Sequence, residues 1–215
     1  MFSGEKPDLS APEYLVESAS FSCVDFEYFS EQVLLIDLGE AFSELSPPSN
    51  GVGTPVSYCS PELLLEGTAS KASDIWALAC TMFEMRSGFP LFESFVGSST
   101  EVLKEMVRIL GMPPEPSHSL WEKYGITIAD HAQLDGSILN NRTREIGIDR
   151  EESSIHEGDV TSQNHHTLLE PPRRRITRNE ANDLTDLLRR TLDYTPKERL
   201  SAEKVANHSW FSNSE

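Results

Sequence analysis

Ser73-Asp74-Ile75-Trp76-Ala77-Leu78-Ala79-Cys80-Thr81-Met82-Phe83-Glu84-Met85-Arg86-Ser87 is the stretch that decides how this chain folds. Ser73 and Asp74 offer side-chain oxygens to the free amides of a helix start. Gly88 and Pro90 end it, glycine by accepting a left-handed cap and proline by refusing to continue. Between these signals Ile75, Trp76, Ala77, Leu78, Ala79, Cys80, Met82, Phe83 and Met85 put apolar groups on nearly every side. A helix apolar all round has to be surrounded by other elements. The reading is a central buried helix over 75–87 and a mainly α domain around it.

Working outward, the flanks supply further helices. Ser60-Pro61-Glu62-Leu63-Leu64-Leu65 reads as a short helix with proline at its first position and Gly67 after it. Ser98-Ser99-Thr100 opens a third, with Val102, Leu103, Met106, Val107 and Leu110 on one face and Gly111 and Pro113-Pro114 beyond. Residues 117–135 are weakly patterned around Leu120, Trp121 and Tyr124. Glu180 to Leu192 is amphipathic, burying Leu184, Leu187, Leu188 and Leu192, and Ser201 starts a last short helix. Upstream, Val33-Leu34-Leu35-Ile36 is a short apolar run ending in Asp37-Leu38-Gly39, read as a buried strand entering a turn. Residues 43–58, rich in Ser, Pro and Gly, read as a loop. Residues 1–32 read as a connecting segment, and about 139–178 as a polar, mobile insertion within a domain spanning 33–215.

Composition narrows the function. The 215 residues carry a net charge of −17, which excludes general nucleic-acid binding, since that needs a basic face to displace counterions. The charge is compatible with a basic protein partner or substrate, or with nothing more than solubility. Cys23, Cys59 and Cys80 are too few and too scattered for a disulfide framework, which points to a reducing intracellular setting, cytoplasmic or nuclear. No apolar run reaches the ~18 residues of a membrane span.

The order of short motifs resembles the eukaryotic protein kinase family. Asp37-Leu38-Gly39 is similar to that family's D-F-G, and Ser60-Pro61-Glu62 to its A-P-E. Gly53-Thr54-Pro55-Val56-Ser57-Tyr58 resembles the substrate-facing loop before A-P-E. Asp74-Ile75-Trp76-Ala77-Leu78-Ala79-Cys80 resembles the central helix of the C-terminal lobe. Asp193-Tyr194-Thr195-Pro196-Lys197-Glu198-Arg199-Leu200-Ser201-Ala202 and His208-Ser209-Trp210-Phe211 resemble the closing elements. Each is weak alone; together, in family order, they are specific. They cover about residues 33–110 and 180–211. Within the family, the Leu of Asp-Leu-Gly, the phrase Ser57-Tyr58-Cys59-Ser60-Pro61-Glu62 and the long insertion look most like SR-protein kinases of the CMGC group and their fungal relatives.

The resemblance implies a role for individual residues. Asp37 would hold Mg²⁺ against ATP phosphates, a task suited to carboxylate oxygen. Thr54 would belong to the substrate-facing loop. Glu62 and Arg199 would form a buried structural ion pair. Asp74 would cap the central helix here, and in the family it also anchors the catalytic loop. The implied activity is transfer of the ATP γ-phosphate to protein Ser or Thr, on Arg/Ser-rich substrates if the narrower placement holds.

Other parts of the family pattern do not occur. There is no Gly-rich loop, since Gly51-Val52-Gly53 runs into Thr54-Pro55, no Val-Ala-Ile-Lys strand and no catalytic-loop Asp. Lys6-Pro7-Asp8 echoes the catalytic loop, but Leu9 stands where its Asn belongs. His165-His166 has no partner at metal spacing, and Arg173-Arg174-Arg175 reads as an exposed basic run that could also dock a partner. The expectation is the C-terminal lobe of a protein-kinase-like α+β fold without its N-terminal lobe. Such a chain would be catalytically silent by itself and hold neither ATP nor Mg²⁺. The alternative is a lobe that works as a non-catalytic interaction module.

Overall fold

A computed structural model describes residues 32, 34–43, 45, 46, 48, 51–127, 134–147 and 175–212. The chain divides into two units, residues 1–36 with 157–171, and 37–156 with 172–215. Of the first, only Gln32 and 34–36 are described. Leu34, Leu35 and Ile36 are exposed and in no strand. The β element expected at 33–36 is therefore not seen among the described residues, Val33 lying outside them. A strand needs a partner ladder for its backbone groups, and no described segment offers these residues one. The connecting segment expected over 1–32 also falls almost wholly outside the described residues.

The second unit is helical, as its sequence suggests. Its α-helices are α1 (Pro61–Glu66), α2 (Lys71–Ser87), α3 (Ser99–Leu110), α4 (His118–Lys123), α5 (Ser137–Arg144), α6 (Arg178–Thr191), α7 (Ala202–Ala206) and α8 (Ser209–Ser212). The central helix starts a turn earlier than its apolar run. Ser70 is its cap: the Ser70 hydroxyl accepts from the Ala72 amide, and the Ser73 hydroxyl accepts from the Ser70 amide. Gly88 closes the helix in a left-handed conformation.

Around α2 the core joins Trp76, Ala79, Cys80 and Phe83 to Leu103, Met106 and Val107 of α3 and to Leu184, Leu187 and Leu188 of α6. Trp76 stacks on Phe92 with ring centres 5.6 Å apart, and Trp121 meets Tyr194 edge to face at 5.3 Å. One face of α2 is left out: Asp74, Leu78, Thr81 and Met85, at helical spacing, are all exposed, Met85 at 81%. The expectation of burial all round is thus wrong on this side. Apolar composition names the residues that want cover but not whether a neighbour provides it.

The segment read as an insertion from about residue 139 needs a larger correction. Residues 137–144 form α5, which packs on both α3 and α6, and Leu139, Thr143 and Ile146 are buried. These positions follow the i, i+4, i+7 stripe of a helix, which averaged polarity conceals. Ile176, near the other end of that segment, is buried too, and its amide donates to the Ile146 carbonyl at 3.2 Å. Residues 148–174 lie outside the described residues.

Two glycines allow α3 and α5 to meet. Gly111 and Gly136 both have positive φ, and a Cβ on Gly136 would lie 2.6 Å from the Leu110 carbonyl oxygen. Only the bare backbone fits there.

Candidate functional site

The segment from Asp37 to Glu62 is the part of the unit nearest to chemistry, and its anchors can be traced in chain order. Asp37 is the one described non-glycine residue with positive φ, at φ 58° and ψ 56°. Asp tolerates this left-handed conformation better than most residues. It precedes a single 3₁₀ turn, Leu38–Glu40, and its carboxylate is exposed. Glu40 then reaches across the segment: its Oε2 accepts from the Gly53 amide at 3.3 Å. This contact brings the Asp37 turn beside the loop that carries Thr54. Asp37 and Thr54 share no hydrogen bond of their own.

Thr54 is half-buried, and its carbonyl accepts a weak bond from the Cys59 thiol at 3.3 Å. Burial pushes the Cys59 thiol up to about 11, so it stays protonated and unreactive at neutral pH. A 3₁₀ turn, Val56–Tyr58, follows. The Tyr58 hydroxyl donates to the Glu84 carboxylate on α2. That hydrogen bond, with burial and the carboxylate's charge, raises the Tyr58 phenol to about 12.

Glu62 is the firmest anchor. Its two oxygens each accept from the Arg199 guanidinium at 2.7 Å, in a fork-to-fork pair whose side chains are 1% and 9% exposed. The Ser73 hydroxyl donates to Glu62 Oε1 at 2.9 Å. Arg199 also donates to the Asp193 carbonyl at 2.7 Å and the Ala72 carbonyl at 2.9 Å, and it lies 5.0 Å over the Trp76 ring. Burial alone would raise the Glu62 carboxyl. The hydrogen bonds and charge of Arg199 outweigh that and hold it below the usual 4.5. Four of the five N–H groups of Arg199 and both oxygens of Glu62 are thereby bonded, and a buried ion pair is tolerated when it is satisfied in this way.

Asp74 does not cap α2. Ser70 and Ser73 do that, and Asp74 sits exposed in the first turn, where its charge suits the helix dipole. Of the residues singled out in the sequence, the structure joins Glu62 with Arg199 and places Asp37, Thr54 and Asp74 apart from that pair. Sequence reasoning missed Tyr58–Glu84, Ser73–Glu62 and the bidentate Arg86–Glu180 bond (2.6 and 3.1 Å) that fastens α2 to α6. Nothing periodic marks such pairs.

Of the oxygen donors that Mg²⁺ would need, the described residues of this segment supply one carboxylate. That ion wants octahedral oxygen, commonly one or two carboxylates with phosphates and waters. Asp37 offers one exposed carboxylate, and no group of three or more His, Cys, Asp or Glu among the described residues could hold a metal.

A glutamate after a Ser-Pro step, clamped by a distant arginine beneath a tethered loop, is the arrangement that the resemblance to protein kinases implies. The comparisons agree: the model of the protein kinase domain matches residues 26–211, and the chain belongs to that family. It is 29% identical over 186 residues to the dual specificity protein kinase CLK2 of Mus musculus, covering 85% of this chain and 32% of that protein. It is 31% identical over 159 residues to cyclin-dependent kinase G-1 of Oryza sativa subsp. indica, covering 72% and 18%. It is 26% identical over 183 residues to the serine/threonine-protein kinase Doa of Drosophila melanogaster, covering 83% and 20%. The chain thus spans a third or less of the length of the curated relatives it matches.

Proposed function

We propose that this chain is the substrate-side, C-terminal lobe of a serine/threonine protein kinase, with Arg/Ser-rich proteins as the substrate class, and that the 215 residues alone transfer no phosphate. The Glu62–Arg199 clamp carries the reading: it fastens the segment after Asp37 to the helices as a peptide-presenting loop requires. In this reading Asp37 supplies one Mg²⁺ ligand and Thr54 faces the incoming hydroxyl. Asp74, exposed at the start of α2, is free to hold a catalytic loop. The rest of the ATP and Mg²⁺ site, a Gly-rich loop, a phosphate-gripping Lys and a catalytic Asp, has no counterpart in these residues. The charge of −17 favours basic substrates, and the relatives' names include CLK2 and Doa kinases. No helix among the described residues is long and apolar enough to cross a membrane, and we place the chain inside the cell.

The test is incubation of the purified chain with Mg²⁺, radiolabelled ATP and a basic Ser-containing peptide, with calorimetry of Mg²⁺·ATP alongside. The expected result is no transfer and no saturable binding. Transfer that disappears in Asp37→Ala would overturn it. A second reading, a lobe that binds partners without catalysis, is favoured by the exposed α2 stripe of Leu78 and Met85, with Phe89 just beyond it.

A further inference from the structure

Away from the Asp37–Glu62 segment, three arginines converge where the chain returns to the core before α6. Arg144 at the end of α5, together with Arg175 and Arg178, lines a cavity of about 520 Å³. All three are exposed, and none has a hydrogen bond or ion pair from its side chain among the described residues. Guanidinium groups that line one cavity repel one another unless an anion joins them, and three arginines with no carboxylate partner among the described residues are unexpected in a chain with 35 acidic residues against 18 basic.

Carboxylates among the described residues do not relieve the charge. Glu180, in the first turn of α6, is held by both arms of Arg86. Asp186 serves Arg190 and His208. Glu145, adjacent to Arg144, makes no ion pair among the described residues.

The backbone adds to the same field. α6 is 14 residues long and starts at this cavity. Thr177 caps only the Glu180 amide, at 3.2 Å, and leaves the amides of Arg178 and Asn179 without a backbone acceptor. Helix starts of this kind favour anions. The two arms are also fixed relative to each other: Ile176 and Ile146 are buried, and their backbone bond ties the end of α5 to the approach to α6. The backbone that carries the arginines is therefore held in place before any ligand arrives, so less chain ordering is required on binding.

We propose that Arg144, Arg175 and Arg178, with the first turn of α6, form a site for a phosphoryl group, either free phosphate or a phosphoserine side chain on a peptide. The guanidinium fork matches phosphate oxygens in pairs, and a phosphoryl group near neutral pH brings close to two negative charges to a site that holds three positive ones.

The experiment titrates the full 215-residue chain with inorganic phosphate at constant ionic strength, read by calorimetry. It is repeated with a phosphoserine peptide and its unphosphorylated twin. Saturable phosphate binding is expected, weakened at least ~10-fold in the triple variant R144Q/R175Q/R178Q. A phosphopeptide that binds tighter than phosphate, with a silent unphosphorylated twin, assigns the site to phosphoserine. Equal affinities assign it to the free anion. If the triple variant fails to fold, the single Arg→Lys variants, which keep charge and lose the fork, should each bind several-fold more weakly. Absence of saturable binding by either probe overturns the proposal. So does undiminished binding by the triple variant or, where that does not fold, by all three lysine variants.

Discussion

At the scale of single residues, Arg199 and Glu62 are the most consequential pair. Replacing Arg199 with Met leaves a buried carboxylate without its partner and should cost about 3–5 kcal/mol in urea unfolding. The double variant Glu62→Gln/Arg199→Met should recover part of that loss. Because the Glu62 carboxyl is held below 4.5 when folded, its contribution is complete above the unfolded carboxylate value. It fades as pH falls below about 4.5 and through the folded value. Unfolding curves from pH 7 to pH 3 should show this acid sensitivity in the wild type and its reduction in the double variant. Tyr58 behaves oppositely. Its phenol is raised to about 12 in the folded state, so its contribution is intact below pH 10 and lost as pH rises towards 12. Glu84→Gln should bring the Tyr58 ring-carbon titration, followed by NMR, back towards 10. Glu62 and Arg199 were legible in the sequence only because ordered motifs singled them out. Tyr58–Glu84 and Arg86–Glu180 were not, since a partner 26 or 94 positions away leaves no local pattern.

At the scale of elements, the stripes of α3 and α6 were readable residue by residue, because each has one wet and one dry face. The limits lie at α2 and α5. On α2 the sequence records apolarity on all sides, while exposure of Leu78 and Met85 depends on which neighbours the described fold provides. On α5 a single buried stripe hides in a segment that is otherwise polar and charged. Leu139→Ala should cost about 2–5 kcal/mol, as expected of a core leucine and not of an insertion. Gly136→Ala should also destabilise, by roughly 1–3 kcal/mol, because its added carbon meets the Leu110 carbonyl and its φ of 73° is unfavourable for alanine. Thermal melts of the two variants check both claims.

At the scale of the whole molecule, the sign and size of the charge matter more than any one acid. A net −17 should make binding of an Arg/Ser-rich peptide strongly dependent on salt. The dissociation constant measured by fluorescence anisotropy should rise several-fold between about 50 and 200 mM salt. An affinity indifferent to salt would remove charge as the basis of recognition. The family was legible in the sequence because ordered short motifs survive where overall identity is low. The strand expected at 33–36 is not seen among the described residues 34–36, and an apolar run becomes a strand only beside another. The long reach of the Glu62–Arg199 clamp also bears on how the chain is made. The two residues stand 137 positions apart. At about 5–20 residues per second, a ribosome needs roughly 7–27 s to add Arg199 after Glu62. Throughout that interval the nascent chain cannot bury Glu62 against its counter-charge, so closure of this domain waits until Arg199 has been made.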